Sequence, residues 1–398
     1  MHVPEPQGGL GNRATRTDDR VLQAAVELLA DEGYSALAFT RISERAGLSR
    51  RPVHDRYESR SDLALDIWKR KAGAALLASL EGLYETFEGK GANREHFAAA
   101  MQEFFTPSEE LRCALEILVV SQFDLRLSTA IAESAARDFE PLIHTGPADS
   151  ELRRATSRAY VTAYAFGLIL TSRLPSSEPI DIGYEAGRLF DSLMIDAPQS
   201  PLPQIEGGIF STPTAIETGE PQLDALLMAT LDEVAAQGYE KATTARIVRA
   251  AGCTEGYLFS RYDSKRDLFV DAVRRKLAAS LQRTNDLLTS IAATYGQPAA
   301  DALLIRESMR PQAARRRAVA LEHLRVGMHD ADMRRAHSES LEKFVENTRA
   351  TDPEWERLMT LSRARFGYAL GMGISAVPLL MPSAWELPFD ISTRALAE

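Results

Sequence analysis

The chain has 398 residues, 45% hydrophobic and 26% charged, with a net charge of −10 and two cysteines. That length holds two or more domains, and no apolar run approaches the roughly 20 residues that span a bilayer. The opening MHVPEPQGGLGN lacks the apolar core of a secretory signal, so a cytoplasmic location is expected, while Cys113 and Cys253 sit at non-equivalent positions, argue against a disulfide framework or metal cage, and read as small apolar residues.

In chain order, residues 1–14 read as a flexible arm with Arg13 and Arg16 at its end, suited either to a minor groove or to being a solvated tail. A first helical head is expected over 15–62. Val21, Leu22, Ala25, Val26, Leu28 and Leu29 recur at helical spacing and stop at Gly33; a short helix follows over about Arg41 to Ala46 and ends at Gly47. A third helix starts after Ser49 as N-cap, and a fourth runs from about Ser61 to Leu83 with Asp62 near its start. The rest of a body over 63–195 is helical in pattern, broken at Gly89 to Asn93, Pro107 and His144 to Asp149. Nothing alternates with period two, so the fold class is all-α. Leu152 to Leu174 is apolar on more than one face and belongs in a core or against a partner helix. Residues 196–221, with Pro198, Pro201, Pro203, Pro213, Gly207, Gly208 and Gly219, read as a linker.

The pattern then restarts, with a second head over 222–267 and a second body over 268–398. At an unbroken offset of 205 residues Asp19 meets Asp224, Gly33-Tyr34 meets Gly238-Tyr239, Ile42 meets Ile247, Arg56-Tyr57 meets Arg261-Tyr262 and Asp62-Leu63 meets Asp267-Leu268. Beyond the heads, Leu115-Glu116 matches Leu321-Glu322 and Phe139-Glu140 falls opposite Val345-Glu346, both at 206, and Phe166-Gly167 matches Phe366-Gly367 at 200. A whole two-domain subunit has been duplicated. The acidity is uneven: Arg13 to Lys71 carries 12 basic and 10 acidic residues and Gln222 to Lys276 carries 9 and 8, so the heads are near neutral and the bodies acidic.

Copy one holds Gly33-Tyr34, Thr40-Arg41-Ile42-Ser43-Glu44-Arg45-Ala46-Gly47-Leu48-Ser49, Val53, Tyr57, Ser59, Arg60 and Asp62-Leu63; copy two holds Gly238-Tyr239, Thr243-Thr244-Ala245-Arg246-Ile247, Ala250 to Gly256, Leu258, Tyr262, Ser264, Lys265 and Asp267-Leu268. Each head resembles the TetR family of bacterial transcriptional repressors, which implies a three-helix helix-turn-helix head on a larger helical regulatory body. Ala46 and Ala251 are small where two helices cross, and Gly47 and Gly252 make a left-handed turn. Val53, Tyr57, Leu258 and Tyr262 pin the third helix to its bundle. Its other face is the candidate DNA reader: Ser49, Arg50, Arg51, His54 and Arg56 in copy one, and Thr254, Glu255, Gly256, Tyr257, Phe259 and Arg261 in copy two. Arginine can take guanine O6 and N7, glutamate can accept from cytosine N4, and Tyr257 can meet a thymine methyl, so the two heads are expected to read different bases. The resemblance implies phosphate contacts at Arg56, Arg60, Arg261 and Lys265, and the candidate set also takes in Thr40, Arg41, Thr243 and Thr244. Pro52 falls in the first turn of helix three, where a missing N–H is tolerated, and His54 and Phe259 stand where the family commonly has Tyr.

The resemblance further implies a ligand pocket in each body and a helix pair from each for dimerisation, here including Leu152 to Leu174 and Glu354 to Leu380, the latter with Gly367, Gly371 and Gly373 for close packing. Pocket candidates are Phe104, Phe105, Phe123, Tyr160 and Tyr164, and Met309, His323, Met328, Phe344, Trp355 and Tyr368, all also readable as core. His323, His329 and His337 lack the i, i+4 spacing of a helical metal site, no catalytic pair or phosphate loop stands out, and no cofactor, metal or enzyme activity is expected. A linker of about 25 residues reaches roughly 80 Å, enough for the halves to pair within one chain; pairing of two chains is the other arrangement. The expected function is a repressor whose unlike heads bind an asymmetric double-stranded operator and leave it when a small, largely apolar ligand binds. The competing reading is a ligand-binding or protein-interaction module with one or both heads degenerate.

Overall fold

The computed structural model describes residues 9–144, 149–195, 210, 215–351 and 359–389, and among them every regular element is helical. The first half comprises α1 (Gly9–Glu32), α2 (Phe39–Ala46), α3 (Arg51–His54), α4 (Arg60–Ile67), α5 (Gly73–Glu85), α6 (Arg94–Phe105), α7 (Glu109–Ser121), α8 (Leu125–Ser134), α9 (Asp149–Thr171) and α10 (Ile182–Met194). The second comprises α11 (Pro221–Gln237), α12 (Thr244–Ala250), α13 (Glu255–Phe259), α14 (Lys265–Tyr295), α15 (Gln297–Met309), α16 (Ala314–His329), α17 (Ala331–Thr351) and α18 (Leu361–Ala376). Helix α1 reaches back to Gly9, so residues 9–14 of the expected arm are helical; residues 1–8 lie outside the described residues.

The heads are built alike, down to single hydrogen bonds. In the first, Val21, Leu22, Leu28 and Leu29 of α1 close over Ile42, Val53 and Tyr57, and burial of each large side chain contributes roughly 1.5–3 kcal/mol. The turns after α2 and α12 pass through Gly47 at φ +62° and Gly252 at φ +67°, a left-handed region that a Cβ would strain. The Tyr57 hydroxyl donates to Asp66 at 2.6 Å and that of Tyr262 to Asp271 at 2.7 Å. Ser59 and Ser264 cap the next helix by accepting the N–H of Asp62 and Asp267, each at 3.2 Å. Beyond that cap the copies part. The expected single helix over 61–83 is broken by a π turn at Trp68–Ala72, where the Trp68 ring and carbonyl sit so close to Gly73 that a Cβ there would lie about 3 Å away, whereas α14 runs unbroken.

One extended apolar core runs through both halves. It holds the first head, α5 to α10, and from the second half Ala302, Ile305 and Met309, Leu321, Leu324 and Met328, Phe366, Ala369 and Ile374, and the C-terminal Leu380, Met381 and Phe389. The second head has its own cluster around Leu226, Ile247, Leu258 and Phe269, which takes in Ile216 of the expected linker.

Helices α9 and α18 form the most extensive helix pair, and their crossing is reciprocal. A Cβ on Gly167 would lie 1.7 Å from the Ala369 carbonyl oxygen, and one on Gly373 would lie 1.6 Å from that of Ala163. The backbones therefore touch, and only glycine fits at either point. Tyr164 stacks on Phe366 beside the crossing, centroids 4.1 Å apart. Ala163 with Ala369, and Gly167 with Gly373, keep the 206-residue offset of the glutamate pair, so the offset of 200 suggested by Phe166-Gly167 is the wrong register. Of the glycines expected to pack closely, Gly373 does; Gly367 and Gly371 have nothing within 4 Å of a built Cβ. Among the described residues no helix is long and apolar enough to cross a membrane.

Candidate nucleic-acid interface

The helix-turn-helix of each head exposes one face of a short third helix, and the two faces differ in shape as well as in residues. Thr254 caps α13 by accepting the Tyr257 N–H at 3.2 Å, and Thr244 lies 3.4 Å from Glu255. Ser49, its counterpart, makes no such cap. The residue three beyond it is Pro52, which has no N–H to donate, so α3 begins later and spans only Arg51–His54. Arg50 and Arg51 are exposed, Arg51 paired with Asp55 at 3.4 Å, and the exposed His54 packs edge-on against Phe39 at 5.0 Å. On α13 the face consists of Glu255, Gly256, a half-buried Tyr257 and Phe259, the last 52% exposed.

Several flanking candidates are engaged inside the protein. Arg56 pairs with Asp18, and Arg60 lies over the Tyr34 ring and 3.7 Å from Glu240 of the other head. Arg41 bonds Glu32 at 2.5 Å; Thr40 is half-buried in the first turn of α2. Thr243 caps α12. Arg261 is held by Glu220 at 2.5 Å and lies over the Tyr257 ring. Lys265 turns inward, donating to the Tyr239 carbonyl at 2.8 Å, and burial lowers its pKa. The structure therefore brings Ser49, Arg50, Arg51 and His54 together as an open, largely basic face on head one, and Thr254, Glu255, Gly256 and Phe259 as an open, uncharged-to-acidic face on head two.

The joint between heads and bodies escaped the sequence reading. Glu116 on α7 accepts the Tyr34 N–H at 2.8 Å, and Glu322 on α16 accepts the Tyr239 N–H at 2.6 Å. Both carboxylates are buried, and Arg325 joins them: its Nη1 donates to Glu116 at 2.7 Å, and its Nε and Nη2 donate to Glu322 at 2.7 and 2.9 Å. Burial opposes ionisation of Glu116, but Arg325, His329 and the Tyr34 N–H outweigh it and hold the carboxyl well below its usual range. Gly33 packs on His329 and Gly238 on Phe123, so each head's turn rests on the other half's body. The available signal was a Leu-Glu pair, Leu115-Glu116 and Leu321-Glu322, repeated at the same offset.

The body candidates do not converge on one site. Phe104, Tyr160, Tyr164 and Met309 are buried in the core, Phe105 is partly buried against it, and Phe123 sits under Gly238. His323 lies between Phe269 and His337, whose Nε2 bonds the Tyr368 hydroxyl, and burial lowers the pKa of both imidazoles. Met328 and His337 line a cavity between α9, α16 and α17 of about 10 Å³, about the size of one water. Phe344 is 55% exposed, and Trp355 lies outside the described residues. Cys113 is buried with its thiol on the Val26 carbonyl, while Cys253 is partly exposed.

The family model for the tetR family of bacterial regulatory proteins matches residues 21–67 and again 226–272, the segments that fold as the two heads. Among curated proteins, the HTH-type transcriptional activator FasR of Mycolicibacterium smegmatis is 28% identical over 141 residues, 33% of this chain and 63% of that protein. The fatty acid metabolism regulator protein of Bacillus subtilis is 24% identical over 109 residues, 27% of this chain and 53% of that protein. The chain thus spans a little over half the length of these relatives. Both matched segments coincide with the two helix-turn-helix heads, so the chain carries two copies of the tetR-family helix-turn-helix domain.

Proposed function

We propose that this chain is a cytoplasmic, non-enzymatic DNA-binding repressor that acts as a single-chain pseudo-dimer, with two unlike heads on the two halves of an asymmetric operator. The observation that carries this reading is the α9–α18 crossing, in which Gly167 meets Ala369 and Gly373 meets Ala163. Such an exchange of partners is the mark of an interface around a two-fold axis, and here both sides belong to one chain. Unlike recognition faces on so symmetric a frame favour an operator without two-fold symmetry, its half-site centres roughly 34–36 Å apart. A small, largely apolar effector releases the DNA by binding one arrangement of the heads better than the other. The Bacillus subtilis relative is named as a regulator of fatty acid metabolism, which suits such an effector.

A second reading, in which only the first head reads bases, draws support from Arg261 and Lys265 being engaged by Glu220 and by the Tyr239 carbonyl. Selection of operators from random duplexes, with mass measured by light scattering, tests both. One 43.8 kDa chain on a non-palindromic site is expected, whereas two chains on a clean palindrome would overturn the pseudo-dimer. Replacing Arg50 and Arg51 with Ala should weaken specific binding by about 1–3 kcal/mol for each arginine that reads a base. Phe259→Ala and Tyr257→Ala should relax the other half-site; if they change nothing while the arginine changes do, the one-head reading holds.

A further inference from the structure

The carboxylates that seat the heads are symmetric, but the cation between them is not. Glu116 and Glu322 are each 1% exposed and hold the Tyr34 and Tyr239 N–H groups at the turn that follows helix one of each head. The 206-residue repeat that relates these glutamates places Val119 opposite Arg325, and Phe123 opposite His329. One guanidinium, 4% exposed, therefore serves both carboxylates. Its Nη2 also lies 3.7 Å from Glu240, which reaches Arg60 of the first head at 3.7 Å. A planar fork with fixed donor directions sets the angle between its partners as well as their separation.

We infer that Arg325 is the positioning residue that holds the two heads at one mutual separation and orientation, through Glu116 to the first and Glu322 to the second. This rests on the proposed reading of DNA by both heads. A rigidly spaced pair makes binding of the second half-site an intramolecular event at high effective concentration; without the fork, each head still binds its own half-site but the advantage of linking them disappears. Arg325 faces only protein, so its removal leaves half-site binding intact.

The experiment uses the full chain, with Cys113 and Cys253 replaced by Ser and spin labels on Glu58→Cys and Asp263→Cys, exposed positions that correspond in the two heads. Head-to-head distance distributions are compared between the parent, Arg325→Met, and the triple variant Glu116→Gln, Glu322→Gln, Arg325→Met. The triple variant leaves no unpaired buried charge and keeps an acceptor for each Tyr N–H, so it covers the case in which the single variant does not fold. A distribution broadened at unchanged helicity is expected, together with at least a tenfold loss on the complete operator, half-site affinity within about twofold of the parent, and a flatter dependence on half-site spacing. A folded variant with the parental distance distribution would overturn the inference, as would equal losses on complete and half sites. Failure of the parent to select any DNA would instead overturn the proposed function, while the distances still decide the role of Arg325.

Discussion

At the scale of single residues, the third helices of the two heads differ through one backbone donor. Pro52 stands where Tyr257 stands in the other copy; Tyr257 gives its N–H to Thr254, and Pro52 has none to give to Ser49. Thr254→Ala should therefore cost about 1 kcal/mol of stability, the usual worth of a side-chain cap. Ser49→Ala should stay within about 0.5 kcal/mol of the parent, as surface substitutions do. Urea unfolding of the two variants checks this; equal losses would mean that Ser49 caps α3 after all.

At the scale of elements, the α9–α18 crossing depends on backbone contact, and its glycines divide into two kinds. Gly167→Ala or Gly373→Ala forces a methyl into a carbonyl oxygen of the facing helix, so the helices must separate, at a cost of about 3 kcal/mol. Gly367→Ala and Gly371→Ala meet open space within the same helix and should stabilise it by roughly 0.5–1 kcal/mol. Chemical denaturation of the four variants gives opposite signs if the crossing is as described. Similar effects from all four would show that helix propensity rather than the crossing governs them.

At the scale of the whole molecule, the folded state should be acid-labile from just below neutrality. Burial lowers the pKa of His323 to about 3, with His337 adding to the shift, and lowers that of His337 to about 4, with Arg365 adding. Folded values below the unfolded value mean that the unfolded chain binds more protons, so this stability is present above about pH 6.5 and is lost as pH falls toward 4. Glu116, also held below its usual range, adds its own loss only below about pH 4.5. Denaturant midpoints should be level above pH 7 and decline through pH 6 and 5, with a slope of up to about 1.4 kcal/mol per pH unit for each histidine. His323→Phe should remove one such share; an unchanged slope would show that His323 takes up its proton as readily in the folded chain.

The two heads, their shared register and the all-α class were legible in the sequence because each rests on residues within about 45 positions of one another: an apolar stripe at helical spacing, a left-handed glycine, a cap. The duplication carried that reading to the second copy without further information. Legibility ended where partners lie far apart in the chain. Gly373 stands out from Gly367 and Gly371 only because Ala163 faces it, and Gly238 of the second head rests on Phe123 of the first half's body. Glu116 and Glu322 could be noticed in sequence as a repeated Leu-Glu pair, but not the guanidinium that joins them, since the first copy has Val119 at that place. Local periodicity and caps determine the helices, because their free energy is settled between near neighbours; which helix faces touch, and which charges are buried together, is decided only when the two halves close on a common core.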